Sequence, residues 1–308
     1  MKSLARIGSL SALFLAASAV AASAQAPLPP LQPPPSPSTA TAAPLPPEQA
    51  PPAFAPAELD RIVTPIALYP DPLLAQVLAA ATYTAQIPDA ARWADEHHSL
   101  TGAAMTAAIA EDQVTWDPSV QALLPFPSVL DMMASSMPWT EELGNAFLAQ
   151  RADVMDAVQR MRRQAVSFGY LRPNAQVVVN TTPYVEILPV NPAFVVVPYY
   201  NPAVVFVAPR PGFHVAAAIS FGYGVSLGAV WAPWGWGGAT HFQWATHGVI
   251  VANAPWNRTW ANRVRYVHPY AVRRYDTRAV ESHRAVPRSP TERRSQWQGH
   301  PSHEEHRR

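Results

Sequence analysis

Two stretches that begin with Asp-Pro decide the fold: residues 71–83 have the sequence DPLLAQVLAAATY, and residues 117–124 have DPSVQALL. The Asp side chain can accept hydrogen bonds from the free N–H groups at the start of a helix. The Pro fits the first helical position, where its missing donor is not needed. Each pair therefore predicts a helix start followed by an apolar run.

Similar signals recur across residues 57–172, which we predict to form one helical domain. Pro88 precedes DAARWADEHH, Ser99 or Thr101 can cap the next helix, and Pro127 precedes SVLDMMASSM. The predicted fold class is mainly α. It comprises an N-terminal bundle of short Pro-capped helices, a small Pro-punctuated β segment, a Gly/Trp-rich hydrophobic segment and disordered ends.

A longer helix is predicted from about Trp139 to Phe168. Apolar residues recur there at steps of three, four and seven, which is typical of one buried helix face; they are Leu143, Phe147, Val154, Val158, Met161 and Ala165. Large apolar residues elsewhere in the domain are more typical of a core than of a ligand site. The candidate core residues are Trp93, Trp116, Trp139, Leu73, Leu74, Val77, Leu78 and Phe126.

Residues 173–210 change to short β-branched runs, which predict strands. Asn191-Pro192-Ala193-Phe194 is echoed ten residues later by Asn201-Pro202-Ala203-Val204, so we predict a short repeated β segment in which a turn precedes each strand. Two interpretations stay open: a small sheet packed on the helical domain, or an exposed edge that accepts a partner strand.

Several of these motifs resemble a family of bacterial secreted proteins catalogued as domain of unknown function 3300. The run TPIALYPDPLLAQVL at residues 64–78 is similar to its opening, and the resemblance covers roughly residues 57–270. WDPSV at 116–120, FPSVL at 126–130, AQRADVMDAVQ at 149–159 and VPYYNP at 197–202 fit it too. The resemblance implies an envelope protein with a long hydrophobic segment and supplies no catalytic residues.

Residues 211–260 form a Gly/Trp-rich hydrophobic segment, in which residues 215–232 carry no charge. As a helix, this stretch places Gly224 and Gly228 on a small-residue stripe that allows close helix packing and leaves a homo-oligomer open. As a strand, it alternates large and small residues. We lean to the helix. The tryptophans that follow, among them Trp231, Trp234 and Trp236, either form an interfacial belt or pack on the domain.

The N-terminus predicts export. Residues 1–24 combine basic Lys2 and Arg6, an apolar stretch and an Ala-Ser-Ala cleavage site, as a signal peptide does. Residues 25–56 form a Pro-rich linker, since 13 of the chain's 35 prolines lie between Pro27 and Pro56. Such a linker favours an extended conformation.

The sequence predicts no catalytic residue and no cofactor. Gly224-Val225-Ser226-Leu227-Gly228 matches G-x-S-x-G, but a nucleophile elbow needs a helix after the serine, and AVWAPWGWGG cannot sustain one. With no Cys in the chain, thiolate sites are excluded. A weak metal site remains possible at the C-terminus, with three histidines at three-residue spacing: His300, His303 and His306.

Charge is distributed unevenly along the chain. Residues 256–308 contain 12 Arg and 5 acidic residues, whereas residues 25–255 contain 8 basic and 16 acidic residues. We predict a disordered Arg/His-rich tail at 261–308. A secreted protein meets anionic lipid head groups or acidic wall polymers more often than nucleic acid, so residues 213–308 are expected to bind a membrane surface or an anionic envelope polymer. The alternative is that the tail folds back on the acidic body of the same chain. The candidate interaction residues are Gly224, Gly228, Trp231, Trp234, Trp236, Arg263, Arg265, Arg273 and Arg274.

Three functions compete on this basis. The first is a non-enzymatic envelope protein, periplasmic or membrane-associated, with a structural or interaction role. The second is a hydrolase of envelope polymers, and the third is a weak periplasmic metal-binding protein. We choose the first, because the sequence supplies neither a supported nucleophile nor a cleft with paired acids.

Overall fold

The computed structural model describes residues 50–209, 218–222 and 224–269, all within one compact unit that begins at Gln49. Helices dominate residues 56–167, as the mainly α fold class predicted. Their bounds are Pro56–Val63 (α1), Asp71–Ala81 (α2), Ile87–Glu96 (α3), Gly102–Glu111 (α4), Pro118–Gln121 (α5), Pro127–Ser135 (α6), Met137–Ala149 (α7) and Arg151–Ser167 (α8).

Proline begins the helices where the sequence placed it. Pro72, Pro88, Pro118 and Pro127 lie in the first turns of α2, α3, α5 and α6. Asp117 caps α5 through its carboxylate, which accepts a hydrogen bond from the Ser119 backbone N–H at 2.9 Å. The equivalent prediction for Asp71 is wrong, since its side chain makes no capping hydrogen bond. Its carboxylate instead accepts a hydrogen bond from the buried Arg162 side chain.

The predicted helix from Trp139 to Phe168 is two helices. Gln150 separates α7 from α8 with a non-helical backbone (φ −136°, ψ 49°). Its side-chain oxygen accepts a hydrogen bond from the Phe54 N–H at 2.6 Å. The segment just before α1 therefore packs against the break between α7 and α8. The predicted apolar stripe is confirmed on both sides of the break, and its fully buried members are Leu143, Phe147, Val154, Val158 and Ala165.

Short antiparallel strands follow the helices. Their bounds are Val177–Asn180 (β1), Glu186–Pro189 (β2), Phe194–Val195 (β3), Pro198–Tyr200 (β4), Ile219–Phe221 (β5), Val225–Ser226 (β6), His241–Gln243 (β7), Gly248–Val251 (β8) and Ala254–Pro255 (β9). Strand β1 pairs with β2, β3 with β6, and β4 with β5, while β7, β8 and β9 form a three-stranded sheet. A second hydrophobic cluster lies between these first strands and α8; it contains Leu68, Ala165, Leu171, Val177, Val185, Ile187, Val196 and Val205.

The two halves of the predicted β repeat begin alike and end differently. The side chains of Asn191 and Asn201 each accept a hydrogen bond from the backbone N–H two residues later. Strand β3 follows the first, but a one-turn helix, Pro202–Val205 (α9), follows the second. The prediction of a second strand is therefore wrong: the same Asn-Pro start leads into β3 in the first unit, whereas in the second unit it continues as a helical turn that buries Val205 in the second hydrophobic cluster.

The helix prediction for residues 215–232 is wrong for its described part. Strands β5 and β6 occupy it, followed by a 3₁₀ helix at Ala229–Trp234. Gly228 has φ +53°, which breaks any helix at the point where the small-residue stripe required one. Gly224 and Gly228 therefore do not share a helix face. No helix in the described ranges is both long and apolar enough to cross a bilayer.

The tryptophans belong to the main core. Trp231, Trp234 and Trp236 are only 1%, 3% and 1% exposed, which contradicts the interfacial belt and agrees with packing on the domain. Trp236 packs on Phe126 with ring centroids 5.1 Å apart, and Trp256 stacks on Phe147 at 5.2 Å. Helix packing alone would leave apolar helix faces exposed, and the tryptophan rings pack on those faces. The hydrophobic core of the helices thus extends along the chain to Trp256.

Candidate functional site

A fully buried arginine lies where the helices meet the later segments. Arg162 on α8 donates to the backbone oxygens of Ala67, Tyr69 and Val185 at 2.8–2.9 Å. Its Nη1 also lies 2.6 Å from Oδ1 of Asp71, at the start of α2. The guanidinium therefore finds acceptors on the loop before α2, on α2 and just before β2.

Asp71 completes this buried centre. Its Oδ2 accepts the indole N–H of Trp244 at 3.0 Å, and its Oδ1 accepts the Ile187 N–H at 3.3 Å. Burial raises the pKa of the Asp71 carboxyl, whereas Arg162 and these hydrogen bonds act in the opposite direction. The guanidinium of Arg162 also faces the Trp244 ring at 5.2 Å. Since both charged side chains are enclosed, the pair joins segments rather than meeting a substrate.

Helix side chains also occupy the outer edge of β2. Gln159 both accepts from the Val185 N–H at 2.9 Å and donates to the Val185 oxygen at 3.0 Å. Together with the bonds from Arg162 and Asp71, this satisfies backbone groups that a third strand would otherwise use. The predicted acceptor edge for a partner strand is therefore closed at β2.

A second polar cluster fastens the C-terminal part of the described chain. Oδ1 of Asp117 accepts from Nε2 of His268 at 2.8 Å and from the Ser119 hydroxyl at 2.6 Å. Burial alone would raise the pKa of Asp117, but the hydrogen bonds from His268 and Ser119 hold it below its ordinary value. Nearby, Arg258 lies over the Tyr83 ring at 3.7 Å and donates to the Thr82 oxygen at 2.7 Å.

The residue types of this cluster suggest catalysis, but their arrangement does not support it. A serine nucleophile needs a base that accepts its proton, usually a histidine. The Ser119 hydroxyl instead donates to Asp117, and the residue is fully buried. We therefore interpret the Asp117 cluster as a contact that holds the segment around His268 against α5.

The sequence-predicted sites are not brought together. Ser226 lies exposed on β6, and the 3₁₀ helix after it contains Pro233, so no nucleophile elbow forms. His300, His303 and His306 lie outside the described residues, as do Arg273 and Arg274. Within the described ranges, no group of three His, Asp or Glu side chains is placed to hold a metal ion. The guanidinium of Arg263, a predicted interaction residue, lies over the Trp260 ring at 3.9 Å. Its side chain therefore contacts another residue of the same chain.

The structure exposes a set of apolar side chains that sequence reasoning did not predict. Six large apolar side chains, from Val178 in β1 to Val207 just after α9, are 41–57% exposed, and we call this set the apolar face: Val178, Val190, Phe194, Tyr199, Val204 and Val207. Elsewhere among the described residues, large apolar side chains of this exposure occur only at Val264 and Val267. The sequence did contain a sign of these exposed apolar residues, because residues 173–209 contain one charged residue, Glu186. So few charges are unusual for a protein surface.

Comparison with known proteins agrees with the resemblance. A family profile described as "Protein of unknown function (DUF3300)" matches residues 55–298. The chain is 34% identical over 203 residues to the Escherichia coli (strain K12) protein named "Uncharacterized protein YacH". That alignment covers 55% of this chain and 33% of the relative, so the chain spans about a third of the relative's length. No solved structure matches.

Proposed function

The chain belongs to the DUF3300 family of proteins of unknown function, and on this premise we propose that it is a non-enzymatic protein of the cell envelope that acts by binding. The apolar face carries the proposal. Monomeric soluble proteins rarely leave large apolar patches uncovered, and such patches usually mark sites of association. The same molecule uses its buried polar clusters to hold its own segments together.

The signal peptide predicted from the sequence supports the envelope part of this proposal. The basic start, apolar stretch and Ala-Ser-Ala site at residues 1–24 have the order of a signal peptide. N-terminal sequencing of the exported protein should begin at Gln25. A mature protein that retains Lys2 would contradict cleavage.

Cell fractionation tests where the protein acts. We expect the mature protein in the envelope fraction, resistant to high salt and released by detergent, because apolar contact is not screened by salt. A protein recovered wholly in the soluble periplasmic fraction would contradict binding through an apolar surface.

The non-enzymatic part has a separate test. Any slow hydrolysis of chromogenic esters by the purified protein should be unchanged in Ser119→Ala and Ser226→Ala. Ser226→Ala alters an exposed strand position, whereas Ser119→Ala removes a buried hydrogen bond, so unfolding must be monitored in parallel. Loss of activity in a folded variant would favour the hydrolase.

A further inference from the structure

Three arginines in the described part of the chain are partly buried and form no ion pair with a described carboxylate: Arg151, Arg258 and Arg263. Other described arginines are ion-paired with acidic side chains, namely Arg61, Arg92, Arg160 and Arg162. The rest are exposed to water, namely Arg163, Arg172 and Arg265. A cation that is withdrawn from water without a counter-charge is unfavourable. The first three arginines therefore carry positive charge that their described neighbours do not compensate.

Direct contacts join these three residues, which we call the arginine cluster. Nη2 of Arg151 donates to the Arg258 backbone oxygen at 2.6 Å, and Nη2 of Arg258 donates to the Arg263 backbone oxygen at 2.9 Å. Each guanidinium also faces an aromatic ring: Arg151 lies 5.0 Å from the Trp256 ring centroid, and the other two lie over Tyr83 and Trp260. The cluster is therefore one continuous group between the start of α8 and the loop after β9.

The loop that carries Arg258 and Arg263 is fixed by its own hydrogen bonds. The Asn262 side chain accepts a hydrogen bond from one backbone N–H of this loop at 2.7 Å and donates to a backbone oxygen at 2.9 Å. The backbone N–H of Trp260 donates to the Leu148 oxygen on α7 at 2.9 Å. Charges held in place in this way lose little conformational entropy when a ligand binds.

The charges of the cluster oppose one another. Burial lowers the pKa of Arg151 and of Arg258, and the charge of Arg263 lowers the pKa of Arg258 further. The Asp117 carboxylate and two tyrosines act on Arg258 in the opposite direction, but Asp117 forms its ion pair with His268 instead. An anion bound beside Arg258 and Arg263 would relieve this repulsion.

Donors remain in the cluster for such an anion. Nη1 of Arg263 donates to the Trp260 oxygen, whereas its Nε and Nη2 have no acceptor among the described residues. The Nε groups of Arg151 and Arg258 are enclosed and also lack an acceptor there. Such donors are typical of places where water or an ion completes the hydrogen bonding. The planar fork of a guanidinium matches two oxygens of a phosphate or a carboxylate.

The charge of the cluster favours phosphate over carboxylate. Three arginines together with Asp117 leave a net charge of +2 when histidine is counted as neutral. A phosphate monoester carries about −1.5 to −2 at neutral pH, whereas a carboxylate carries a single negative charge. A phosphate monoester also presents three acceptor oxygens, which two guanidinium groups can share.

We propose that the arginine cluster binds the phosphate monoester group of a ligand beside Arg258 and Arg263. The same arginines still hold the loop in place through their bonds to backbone oxygens. None of them belongs to the apolar face, so this inference goes beyond the proposed function and does not depend on it. A soluble phosphate ester and the headgroup of phosphatidic acid offer the same chemistry, and the test distinguishes these two sources.

The test titrates glycerol 3-phosphate into the full mature chain by isothermal titration calorimetry, with acetate at equal ionic strength as the reference anion. Three proteins are compared: the unaltered chain, Arg263→Gln, and the control Arg163→Gln, which removes an exposed arginine that has no ion pair. Thermal unfolding without ligand establishes that all three are folded. The NMR signals of the arginine Nε–H groups in the unaltered chain give a second measurement that needs no variant.

We expect the unaltered chain to bind glycerol 3-phosphate at least about tenfold more tightly than acetate, because the phosphate carries the larger charge. Arg263→Gln should bind the phosphate at least about tenfold more weakly, since charge-assisted hydrogen bonds are lost. Arg163→Gln should stay within about twofold of the unaltered chain, because a distant exposed charge is screened. In the NMR spectrum, the ligand should shift the Nε–H signals of Arg258 and Arg263 and leave that of Arg163 in place.

Vesicles of phosphatidylcholine with phosphatidic acid identify the source of the phosphate. Vesicles that displace glycerol 3-phosphate from the unaltered chain would place the bound phosphate on a lipid. Vesicles that do not displace it would assign the site to a soluble phosphate ester.

Two results overturn the inference. One is an unaltered chain that binds glycerol 3-phosphate no better than acetate and shows no shift of the Arg258 and Arg263 signals. The other is a folded Arg263→Gln protein that binds the phosphate as tightly as the unaltered chain. Either result leaves the proposed function standing, because the apolar face takes no part in this site. A chain that binds phosphate but is absent from the envelope fraction would reject the proposed function alone.

Discussion

Arg162 and Asp71, 91 residues apart in sequence, form a buried ion pair at 2.6 Å whose two side chains are 0% and 4% exposed. The pair also binds Val185, Ile187 and Trp244, so it holds together α2, α8, β2 and the tryptophan segment. Removal of one member of such a pair leaves an uncompensated buried charge.

Arg162→Met should therefore lower the free energy of unfolding by about 3–5 kcal/mol. Arg160→Met, on the same helix, removes a partly exposed ion pair with Asp60 and a long hydrogen bond to the Pro56 oxygen, and should cost about 1 kcal/mol or less. Equilibrium denaturation in urea measures both. Equal, small losses would show that the buried centre does not hold the segments together.

Trp236→Ala should cost about 3–5 kcal/mol of stability, because it empties a buried site and removes the indole hydrogen bond to the Ala122 oxygen. Tyr199→Ala, at a 57% exposed position, should change stability by about 0.5 kcal/mol or less. The same denaturation experiment compares them. A stable Trp236→Ala protein that no longer binds envelopes would restore the tryptophan belt.

Gly235→Ala should be more destabilising than Gly237→Ala. Both glycines have positive φ (+89° and +78°), so both substitutions carry backbone strain of about 1 kcal/mol. Only at Gly235 would the new Cβ lie 2.5 Å from Thr240 Oγ1 and 2.9 Å from the Ala252 nitrogen, whereas Gly237 faces open space. Thermal unfolding should therefore show a clearly larger drop for Gly235→Ala, and equal drops would contradict the close packing of this turn.

The Asp117 cluster predicts a pH dependence. Because the folded pKa of Asp117 is depressed, its stabilisation is complete above the unfolded pKa of about 3.9 and is lost as pH falls through the folded pKa. Asp117→Asn should cost about 1–2 kcal/mol at neutral pH, and this difference should shrink on acidification. Asp89→Asn, which alters an exposed ion pair, is the control and should show little difference at any pH. A constant penalty for Asp117→Asn would contradict the charge-assisted bond.

Local signals in the sequence predicted the helical half well. Pro72, Pro88, Pro118 and Pro127 fix helix starts through their own covalent geometry, and the apolar period of α7 and α8 survives the break at Gln150. These features depend on neighbours a few residues away.

The errors arose where distant contacts decide the structure. Asp71 has the local pattern of a helix cap, but Arg162 and Trp244 engage its carboxylate from 91 and 173 residues away. The composition of the tryptophan segment is compatible with either an interfacial belt or a packed core. The apolar helix faces that the tryptophans cover decide between the two, and those faces come from distant parts of the chain. The apolar face was missed because exposure depends on which side of each short strand packs on the hydrophobic core.

The central claim is that the apolar face, and not the tryptophan segment, meets the envelope. Hydrogen–deuterium exchange of the full mature chain, with and without native envelope membranes, tests it most directly. The account predicts that membranes slow exchange at residues 177–207 and leave the buried segment around Trp231–Trp256 unchanged. Unaltered exchange at 177–207 together with a membrane-dependent change at Trp231–Trp256 would contradict it.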